Sequence, residues 1–237
     1  MQDNLFLVMP AYNEEANIRS VIRQFHPIVE KIGNGSKLVV VDDGSKDDTF
    51  KILKELSGEY PCLIPVTKPN SGHGPTCLYA YRYAMNMGAG WIFQTDSDGQ
   101  TVPEEFWKFW DLRDQNDFII GSRLKRADGL SRIMVTKILK LFLFIKFGIG
   151  VKDANTPFRL MKADRLKSVS EKIPDDFFLS NVLISCLIVQ KKEKLHWVPI
   201  TFKPRQGGIN SINLKRIFKI GIRSWKDFDD AKKKVGL

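Results

Sequence analysis

The chain has 237 residues, of which 43% are hydrophobic and 27% charged, and these values are ordinary for a globular protein with a sizeable core. No repeat, low-complexity tract or long linker interrupts the sequence, which excludes a repeat protein and favours one domain with a C-terminal elaboration. The net charge is +10, and residues 123–237 carry the excess of Lys and Arg. A basic half suits nucleic acid, an anionic membrane or phosphorylated substrates, or is simply a solvated face.

The cysteines and the N-terminal segment of the sequence predict a cellular compartment. Cys62, Cys77 and Cys186 are widely spaced and form no CxxC pair, so we expect buried thiols in a reducing compartment. The first apolar run is too short and too close to acidic residues for a signal peptide. We therefore expect a cytoplasmic protein.

Strands and helices alternate along the first half of the chain. Short apolar runs predict strands, and helical spacing that stops at Gly33 predicts a helix from Glu14 to Ile32. The predicted strands are 5–9, 37–41, 62–66, 91–95 and 118–121, and the other predicted helices are 48–56, a segment from the turn 72–74 to residue 87, and 106–113. This alternation predicts an α/β fold with a mostly parallel sheet and helices on both faces.

The segment Asp96-Ser97-Asp98 directly follows the predicted strand 91–95. Ligands gather beyond the carboxyl ends of strands in such sheets. Asp96 and Asp98 can direct two carboxylates at one point, and Gln100 adds a neutral oxygen. Hard oxygen ligands suit Mg²⁺ or Mn²⁺, which would neutralise a departing diphosphate. The alternative is a polar loop before the helix that starts near Pro103.

Asp42 and Asp43 end another predicted strand and are expected at the same edge as Asn13-Glu14. A carboxylate there can accept hydrogen bonds from a base or a ribose hydroxyl. The alternative is the N-terminal cap of the helix that starts near Asp48. The sequence has no GxGxxG after its first strand and no GxxxxGK[ST], which argues against a dehydrogenase or a P-loop NTPase.

Together, these motifs resemble those of family 2 glycosyltransferases of the GT-A fold. They are VMPAYNEE (8–15), VVVDDGSKDDT (39–49), the turn Asn70-Ser71-Gly72 and TDSDGQ (95–100). Farther on, GSR (121–123), VKDANTPFRLMK (151–162) and VPITFKPRQGGINSI (198–212) are similar to the polyprenyl-phosphate branch, which includes dolichyl-phosphate mannose synthase and bacterial undecaprenyl-phosphate sugar transferases. The resemblance implies a GT-A (Rossmann-like) mixed, mostly parallel sheet in residues 1–215, followed by a basic helical tail in 216–237.

The resemblance also implies a donor site with a divalent metal. Residues expected to bind the nucleotide sugar are Pro10, Tyr12, Glu14, Asp42, Asp43, Asp96 and Ser97. Mg²⁺ or Mn²⁺ is expected on Asp96, Asp98 and Gln100. His73 occupies a position that is often Lys or Arg in the family, and it is expected first as a loop residue and second as a ligand.

For the acceptor, the resemblance implies a cluster that holds phosphate. Arg132, Thr136 and Ser211 are expected at the acceptor phosphate, although Ser211 replaces the lysine that is usual in the branch. Guanidinium groups bind phosphate oxygens bidentately and keep their charge. The expected catalytic residues are Asp98, Asp153, Arg123 and Arg205. Asp153 is a candidate base, and the alternative is a turn carboxylate that pairs with a nearby Arg. Asp175 and Asp176 are alternative bases for a hydroxyl acceptor, whereas a phosphate acceptor needs little base.

The most apolar segment, residues 130–149, bears on membrane contact. Arg132, Lys137, Lys140 and Lys146 interrupt it, so a membrane span is not expected. An amphipathic helix lying in the interface is expected, and a core helix is the alternative. Any membrane contact would then be peripheral, at the inner face of the plasma membrane.

The sequence thus predicts an inverting glycosyltransferase that moves a sugar from a nucleoside diphosphate sugar to undecaprenyl or dolichyl phosphate. One alternative keeps the fold and transfers to a sugar hydroxyl of a cell-surface glycan or a lipid-linked oligosaccharide. A second is a non-catalytic protein that binds nucleotide sugars or lipid surfaces. Nothing in the sequence resembles a nucleic-acid-binding module, so no nucleic-acid partner is expected.

Overall fold

A computed structural model describes residues 3–123, 140–204 and 227–229. The strands are β1 (Leu5–Ala11), β2 (Lys37–Asp42), β3 (Leu63–Thr67), β4 (Trp91–Thr95), β5 (Phe118–Arg123), β6 (Phe158–Lys162) and β7 (Leu195–Ile200). The helices are α1 (Ile18–Ile32), α2 (Thr49–Glu59), α3 (His73–Asn86), α4 (Phe106–Trp110), α5 (140–147), α6 (Ala163–Ser170) and α7 (Ser180–Gln190), with a 3₁₀ turn at Pro103–Glu105.

The strands form one sheet in the order β3-β2-β1-β4-β6-β5-β7. β6 runs antiparallel to both of its neighbours, β4 and β5, and the other pairs are parallel. Because β6 is the one reversed strand among those described, β1, β2, β4 and β5 all end at the same edge. The predicted α/β fold with a mixed, mostly parallel sheet is confirmed.

Two apolar cores cover the two faces of this sheet. In β1, Phe6 and Val8 face the core built with α3, α5, α6 and α7. Leu5, Leu7 and Met9 face the core built with α1, α2 and α4. Strands buried on both faces are near-continuous apolar runs, as in β1, β2 and β4. The expected helices on both faces are therefore present.

Some element boundaries differ from the sequence prediction. α1 begins at Ile18 rather than Glu14. Residues 15–17 form a turn in which Asn17 N donates to Glu14 O at 2.9 Å, and Glu14 N donates to Thr49 Oγ1 at 2.8 Å. The predicted turn 72–74 overlaps the first turn of α3. α4 ends at Trp110, three residues before the predicted end.

The segments that bear on the membrane and tail predictions are partly described. No helix within 3–123, 140–204 or 227–229 is both long enough and apolar enough to cross a bilayer. Of the predicted interface helix 130–149, residues 140–147 are helical. Most of the predicted tail 216–237 lies outside the described residues, although Phe228 packs against Phe142, Phe147 and Phe177.

Candidate active site

The loops that follow β1 and β2 are tied together at the carboxyl edge of the sheet. Asn13 N donates to Ser45 Oγ at 2.9 Å, and Lys46 N donates to Asn13 Oδ1 at 2.8 Å. Asn13 adopts a φ of 54°, a left-handed conformation that Asn tolerates better than most residues. The two predicted donor-binding motifs therefore form one rigid rim.

Asp42, the last residue of β2, is buried and fully engaged. Its Oδ1 accepts from Ser45 N at 3.2 Å, and its Oδ2 accepts from Thr67 Oγ1 at 2.8 Å. The carboxylate thus links the end of β2 to the end of β3. A contact between Asp42 and the nucleotide stays a prediction.

Asp43 orders the loop that leads from β3 to α3. Its carboxylate accepts from the Lys68 ammonium, from Ser71 N at 2.9 Å and from Gly72 N at 2.8 Å. Gly44 follows with a φ of 66°, and a Cβ there would lie 2.9 Å from Asn70 N, so only glycine fits this close approach. Asp43 is thereby committed to protein donors, and its predicted contact with the nucleotide sugar is untested.

Asp96, just beyond β4, offers one oxygen to the protein and leaves the other open. Its Oδ1 lies 3.0 Å from His73 Nε2 and accepts from Gln94 Nε2 at 3.1 Å. No residue in the described part of the chain donates to Oδ2. Cys77 and Asp96 favour the protonated imidazole, so the pKa of His73 is raised well above its ordinary value.

The rest of the Asp96-Ser97-Asp98 loop is fixed from two sides. Ser97 Oγ donates to Pro10 O at 2.8 Å, which ties the loop to β1. Asp98 Oδ1 accepts from Gln100 N at 3.1 Å. Gln100 Nε2 donates to Lys203 O at 2.8 Å, which ties the loop to the segment after β7. These contacts hold the loop at the edge of the sheet.

Asp96 and Asp98 fit a divalent ion that takes the remainder of its ligands from elsewhere. Among the described residues no cluster of three or more His, Cys, Asp and Glu side chains is arranged to hold a metal. Mg²⁺ is typically bound in proteins by one or two carboxylates and completes its shell with waters and substrate phosphates. The open Oδ2 of Asp96 suits this mode of binding.

Arg123, the last residue of β5, is held by Asp153. Arg123 Nε and Nη2 each donate to the Asp153 carboxylate at 2.7 Å, and the guanidinium lies over the Phe202 ring. β5 lies two strands from β4, so the Arg123 end is about 10 Å from the Asp96 end across the sheet. Two of the expected catalytic residues, Arg123 and Asp153, are thus present at this edge and hydrogen-bonded to each other.

The alternative bases Asp175 and Asp176 line a cavity together with Lys68 and Ser71 of the loop that Asp43 holds. Asp175 pairs with Arg82, and its side chain is 89% exposed. Arg82 comes nine residues after His73, so it lies about 13 Å farther along α3 than the His73–Asp96 contact. A cavity of about 540 Å³ separates the loops here, lined by Lys68, Pro69, Ser71, Pro75, Tyr79, Arg82, Tyr83, Asn86, Asp175 and Asp176.

The remaining predicted residues are only partly placed. Pro10 is in β1, Tyr12 is exposed at the rim, and Glu14 is buried with its Oε2 accepting from Asn17 Nδ2 at 2.8 Å. The acceptor-phosphate residues Arg132, Thr136 and Ser211, and the catalytic candidate Arg205, lie outside the described residues. Their roles stay predictions.

Sequence reasoning missed a group of buried polar residues behind Asp96. Arg159 on β6 is fully buried, and it donates to the carbonyls of Thr156, Asn181 and Ala154. This burial lowers the pKa of Arg159. Gln94, Asn181 and Tyr81 form a second buried set beside it. The signal was visible in β4, where WIFQT carries one amide inside an apolar strand.

Several known proteins are similar to this chain. The curated relatives include a UDP-N-acetylglucosamine–dolichyl-phosphate N-acetylglucosaminyltransferase of Methanococcus voltae, 29% identical over 83% of this chain and 84% of the relative. A polyprenol monophosphomannose synthase of Mycolicibacterium smegmatis is 24% identical over 93% of this chain and 88% of the relative.

Solved structures share the fold. Glucosyl-3-phosphoglycerate synthase of Mycobacterium tuberculosis, solved with Mn²⁺, UDP-glucose and glycerol 3-phosphate, matches 99% of this chain and 81% of its own, with a TM-score of 0.66 and 19% identity. Mannosyl-3-phosphoglycerate synthase of Rubrobacter xylanophilus matches 98% and 75%, with a TM-score of 0.69 and 12% identity. The sequence profile of glycosyl transferase family 2 matches residues 6–170. The chain therefore belongs to glycosyl transferase family 2, and it is a glycosyltransferase.

Proposed function

We propose that this enzyme transfers a sugar from a nucleoside diphosphate sugar to a polyprenyl phosphate, with inversion at the anomeric carbon. The observation that carries the proposal is the Asp96 carboxylate, which is oriented by His73 and Gln94 while its Oδ2 has no partner among the described residues. An acceptor phosphate oxygen forms a bond to the anomeric carbon as the bond to the diphosphate breaks. The nucleoside diphosphate leaves with the electron pair of that bond.

At the donor site, the protein orients the nucleotide sugar between two rims. The rim that joins Asn13 and Ser45 is rigid, and the loop of Asp96, Ser97 and Asp98 faces it across β1. Asp96 and Asp98 would hold Mg²⁺ or Mn²⁺. When bound, the ion supplies positive charge that stabilises the departing diphosphate. The solved relative with Mn²⁺ and UDP-glucose makes this choice of metal reasonable.

The Arg123–Asp153 pair supports a phosphate acceptor over a hydroxyl acceptor. Asp153 accepts hydrogen bonds from both Nε and Nη2 of Arg123, so its carboxylate is engaged by the guanidinium rather than directed at an acceptor hydroxyl. A phosphate monoester is already ionised near neutral pH and needs little base. The pair therefore suits a role in which Asp153 orients Arg123 and Arg123 attracts the acceptor. The relatives named for dolichyl phosphate and polyprenol point to the same acceptor class.

Helix α5 supports a peripheral contact with the membrane. Leu143 and Phe147 are buried in the core, whereas Leu141, Phe144 and Ile145 are each 60% exposed on another face. A helix with one apolar face in the core and a second one in solvent is suited to lie in the headgroup region of a bilayer. The long isoprenoid tail of the proposed acceptor would be reached there.

The acceptor assay tests the proposal directly. UDP-N-acetylglucosamine, UDP-glucose and GDP-mannose are each incubated with vesicles containing undecaprenyl phosphate and Mn²⁺ or Mg²⁺, and released nucleoside diphosphate is measured. We expect release with one donor that depends on the lipid phosphate. Equal release with undecaprenol, which lacks the phosphate, would contradict a phosphate acceptor, and release with 3-phosphoglycerate alone would replace the lipid with a small phosphorylated acceptor.

The same assay separates the hydroxyl-acceptor alternative. Asp175→Asn and Asp176→Asn should leave the rate within about twofold of wild type if the acceptor is a phosphate, because no base is then required. A loss confined to these two variants would favour a sugar hydroxyl instead.

Vesicle sedimentation tests the membrane contact. The double variant Phe144→Ser/Ile145→Ser should reduce the bound fraction on anionic vesicles. Met87→Ser, at an exposed apolar residue on the end of α3, is the matched control and should leave binding unchanged. If the double variant and Met87→Ser bind the vesicles equally well, α5 does not make the proposed membrane contact.

A further inference from the structure

A chain of buried side-chain hydrogen bonds runs through the core to Asp96. Tyr81 on α3 donates its hydroxyl to Asn181 Oδ1 at 2.6 Å. Asn181, on α7, donates its Nδ2 to Gln94 Oε1 at 3.2 Å. Gln94, on β4, donates its Nε2 to Asp96 Oδ1 at 3.1 Å. Tyr81 and Gln94 are fully buried and Asn181 is 3% exposed, so water has little access to these three side chains.

The direction of this chain is fixed by chemistry. The Asp96 carboxylate can only accept, so Gln94 directs its Nε2 to Asp96 and its Oε1 to Asn181. Asn181 must then donate its Nδ2 to Gln94, which leaves its Oδ1 to accept from the Tyr81 hydroxyl. Each donor therefore determines the orientation of the next group. Chains of this kind are also mutually strengthened in a low-dielectric interior.

The surroundings hold this chain in place. α7 is apolar around Asn181, and Ser180–Ile188 are buried without interruption. Arg159 donates its Nη1 to the main-chain carbonyl of Asn181 at 3.2 Å, and it is the register partner of Gln94 in the sheet. Buried polar groups are costly unless they are all satisfied. Their placement directly behind Asp96 points to a role at that carboxylate.

We propose that Gln94 is a positioning residue for the donor site, and that the hydrogen bonds from Tyr81 through Asn181 to Gln94 fix the rotamer of Asp96 and keep Oδ2 available to a divalent ion. This inference rests on the proposed function. His73 donates to the same Oδ1, so two donors from opposite elements hold one oxygen and leave the other for the ion. Groups behind a ligand typically change metal affinity about 10–100-fold when they are replaced.

The test measures Mn²⁺ binding rather than turnover. Mn²⁺ is titrated into the whole protein in the presence of UDP or GDP, and free Mn²⁺ is followed by electron paramagnetic resonance. Gln94→Met keeps the approximate size and removes the donor, and it should weaken Mn²⁺ binding by about tenfold or more. Asn181→Asp is isosteric but reverses the pattern, because it makes Gln94 turn its oxygen towards Asp96, and it should weaken binding similarly.

Ser185→Ala is the matched control. Ser185 is buried on the same helix and donates to the carbonyls of Ala154 and Asn181, so its loss perturbs α7 without breaking the chain of side chains. It should leave Mn²⁺ affinity within about twofold of wild type. Thermal unfolding of each variant distinguishes a general loss of stability from a loss of the Asp96 orientation. If wild type binds Mn²⁺ and the Gln94 and Asn181 variants bind it equally well, the positioning role is overturned while the proposed function stands. If wild type binds no Mn²⁺ with either nucleotide, the positioning role and the metal site at Asp96 are both overturned, whereas transfer to a lipid phosphate is decided by the acceptor assay.

Discussion

At the end of β2, all four carboxylate oxygens of Asp42 and Asp43 accept hydrogen bonds from the protein. At the end of β4, the hydrogen bonds that Asp96 accepts within the described part of the chain, from His73 and Gln94, all go to Oδ1. The two acidic motifs look alike in sequence and occupy equivalent strand ends. A carboxylate whose oxygens are all satisfied builds its loop, whereas a carboxylate held by one oxygen can bind a ligand with the other. The β2 motif should therefore affect mainly stability, and the β4 motif mainly activity.

The strongest test of this division is Asp96→Asn. The amide oxygen can still accept from His73 and Gln94, but the amide nitrogen in place of Oδ2 cannot bind a cation. Loss of metal charge stabilisation is worth several kcal/mol, so we expect transfer to slow about 100-fold or more. The unfolding midpoint in urea should stay close to that of wild type. Nucleotide-release kinetics that remain within tenfold of wild type would contradict a metal-binding role for Asp96.

Asp43→Asn should show the opposite pattern. The Asp43 and Lys68 side chains are only 5% and 12% exposed, and breaking a buried ion pair leaves an uncompensated charge. We expect the free energy of unfolding to fall by about 3 kcal/mol, measured by urea denaturation. Donor affinity should fall as a consequence, because the loop at Ser71 and Gly72 loses its anchor.

A double-mutant cycle with Lys68→Met isolates the pair. Removing both charges should cost less than the sum of the two single changes, because neither partner is then left unpaired. Additive effects, or a loss below 1 kcal/mol for Asp43→Asn, would mean that the β2 carboxylate does not build its loop in the way that its contacts indicate.

The positions of both motifs were predictable, but their different uses were not. Each follows an apolar run, which identifies a buried strand and places its end at the ligand edge. The partners of Asp43 come from a loop 25 to 29 residues away, which has no periodicity that could reveal them. Gln94 stood out in β4, yet its partner Asn181 is 87 residues away. α7, which carries Asn181, is buried on all sides and gives no amphipathic signal.

Strand direction was equally hidden. β6 lies between β4 and β5 and runs against both, but the local pattern of a buried strand is the same in either direction. The pairing of Arg123 with Asp153 depends on that tertiary arrangement. Sequence reasoning gave both residues catalytic roles and offered, as the alternative for Asp153, a carboxylate that pairs with a nearby Arg; the structure identifies that Arg as Arg123.

A smaller effect is expected at Thr67, which donates to Asp42 Oδ2. Thr67→Val keeps the branched shape that suits a strand and removes the hydroxyl, so the unfolding free energy should fall by about 1 kcal/mol. Thr67→Ser retains the donor and should recover most of this loss. Equal stability of the Val and Ser variants would show that this hydrogen bond does not contribute to the β2 end.

The smallest effect is expected at Asp47, in the loop after β2, and it should appear only in acid. Burial alone would raise the pKa of Asp47, but the hydrogen bonds from Thr49 and from Glu15 N–H outweigh it and lower the pKa from its ordinary value of 3.8. A carboxylate with a depressed pKa in the folded state stabilises the fold above its unfolded pKa, and this contribution is lost as the pH falls through the folded value. Asp47→Asn should therefore be less stable than wild type at pH 6, and this difference in unfolding free energy, the gap, should close below pH 3.8.

Urea unfolding at a series of pH values measures the gap, and Asp48→Asn, at the exposed neighbour, controls for the change in net charge. A gap that is independent of pH would mean that these hydrogen bonds do not favour the charged carboxylate, and the β2 end would then owe its rigidity to Asp42 and Asp43 alone.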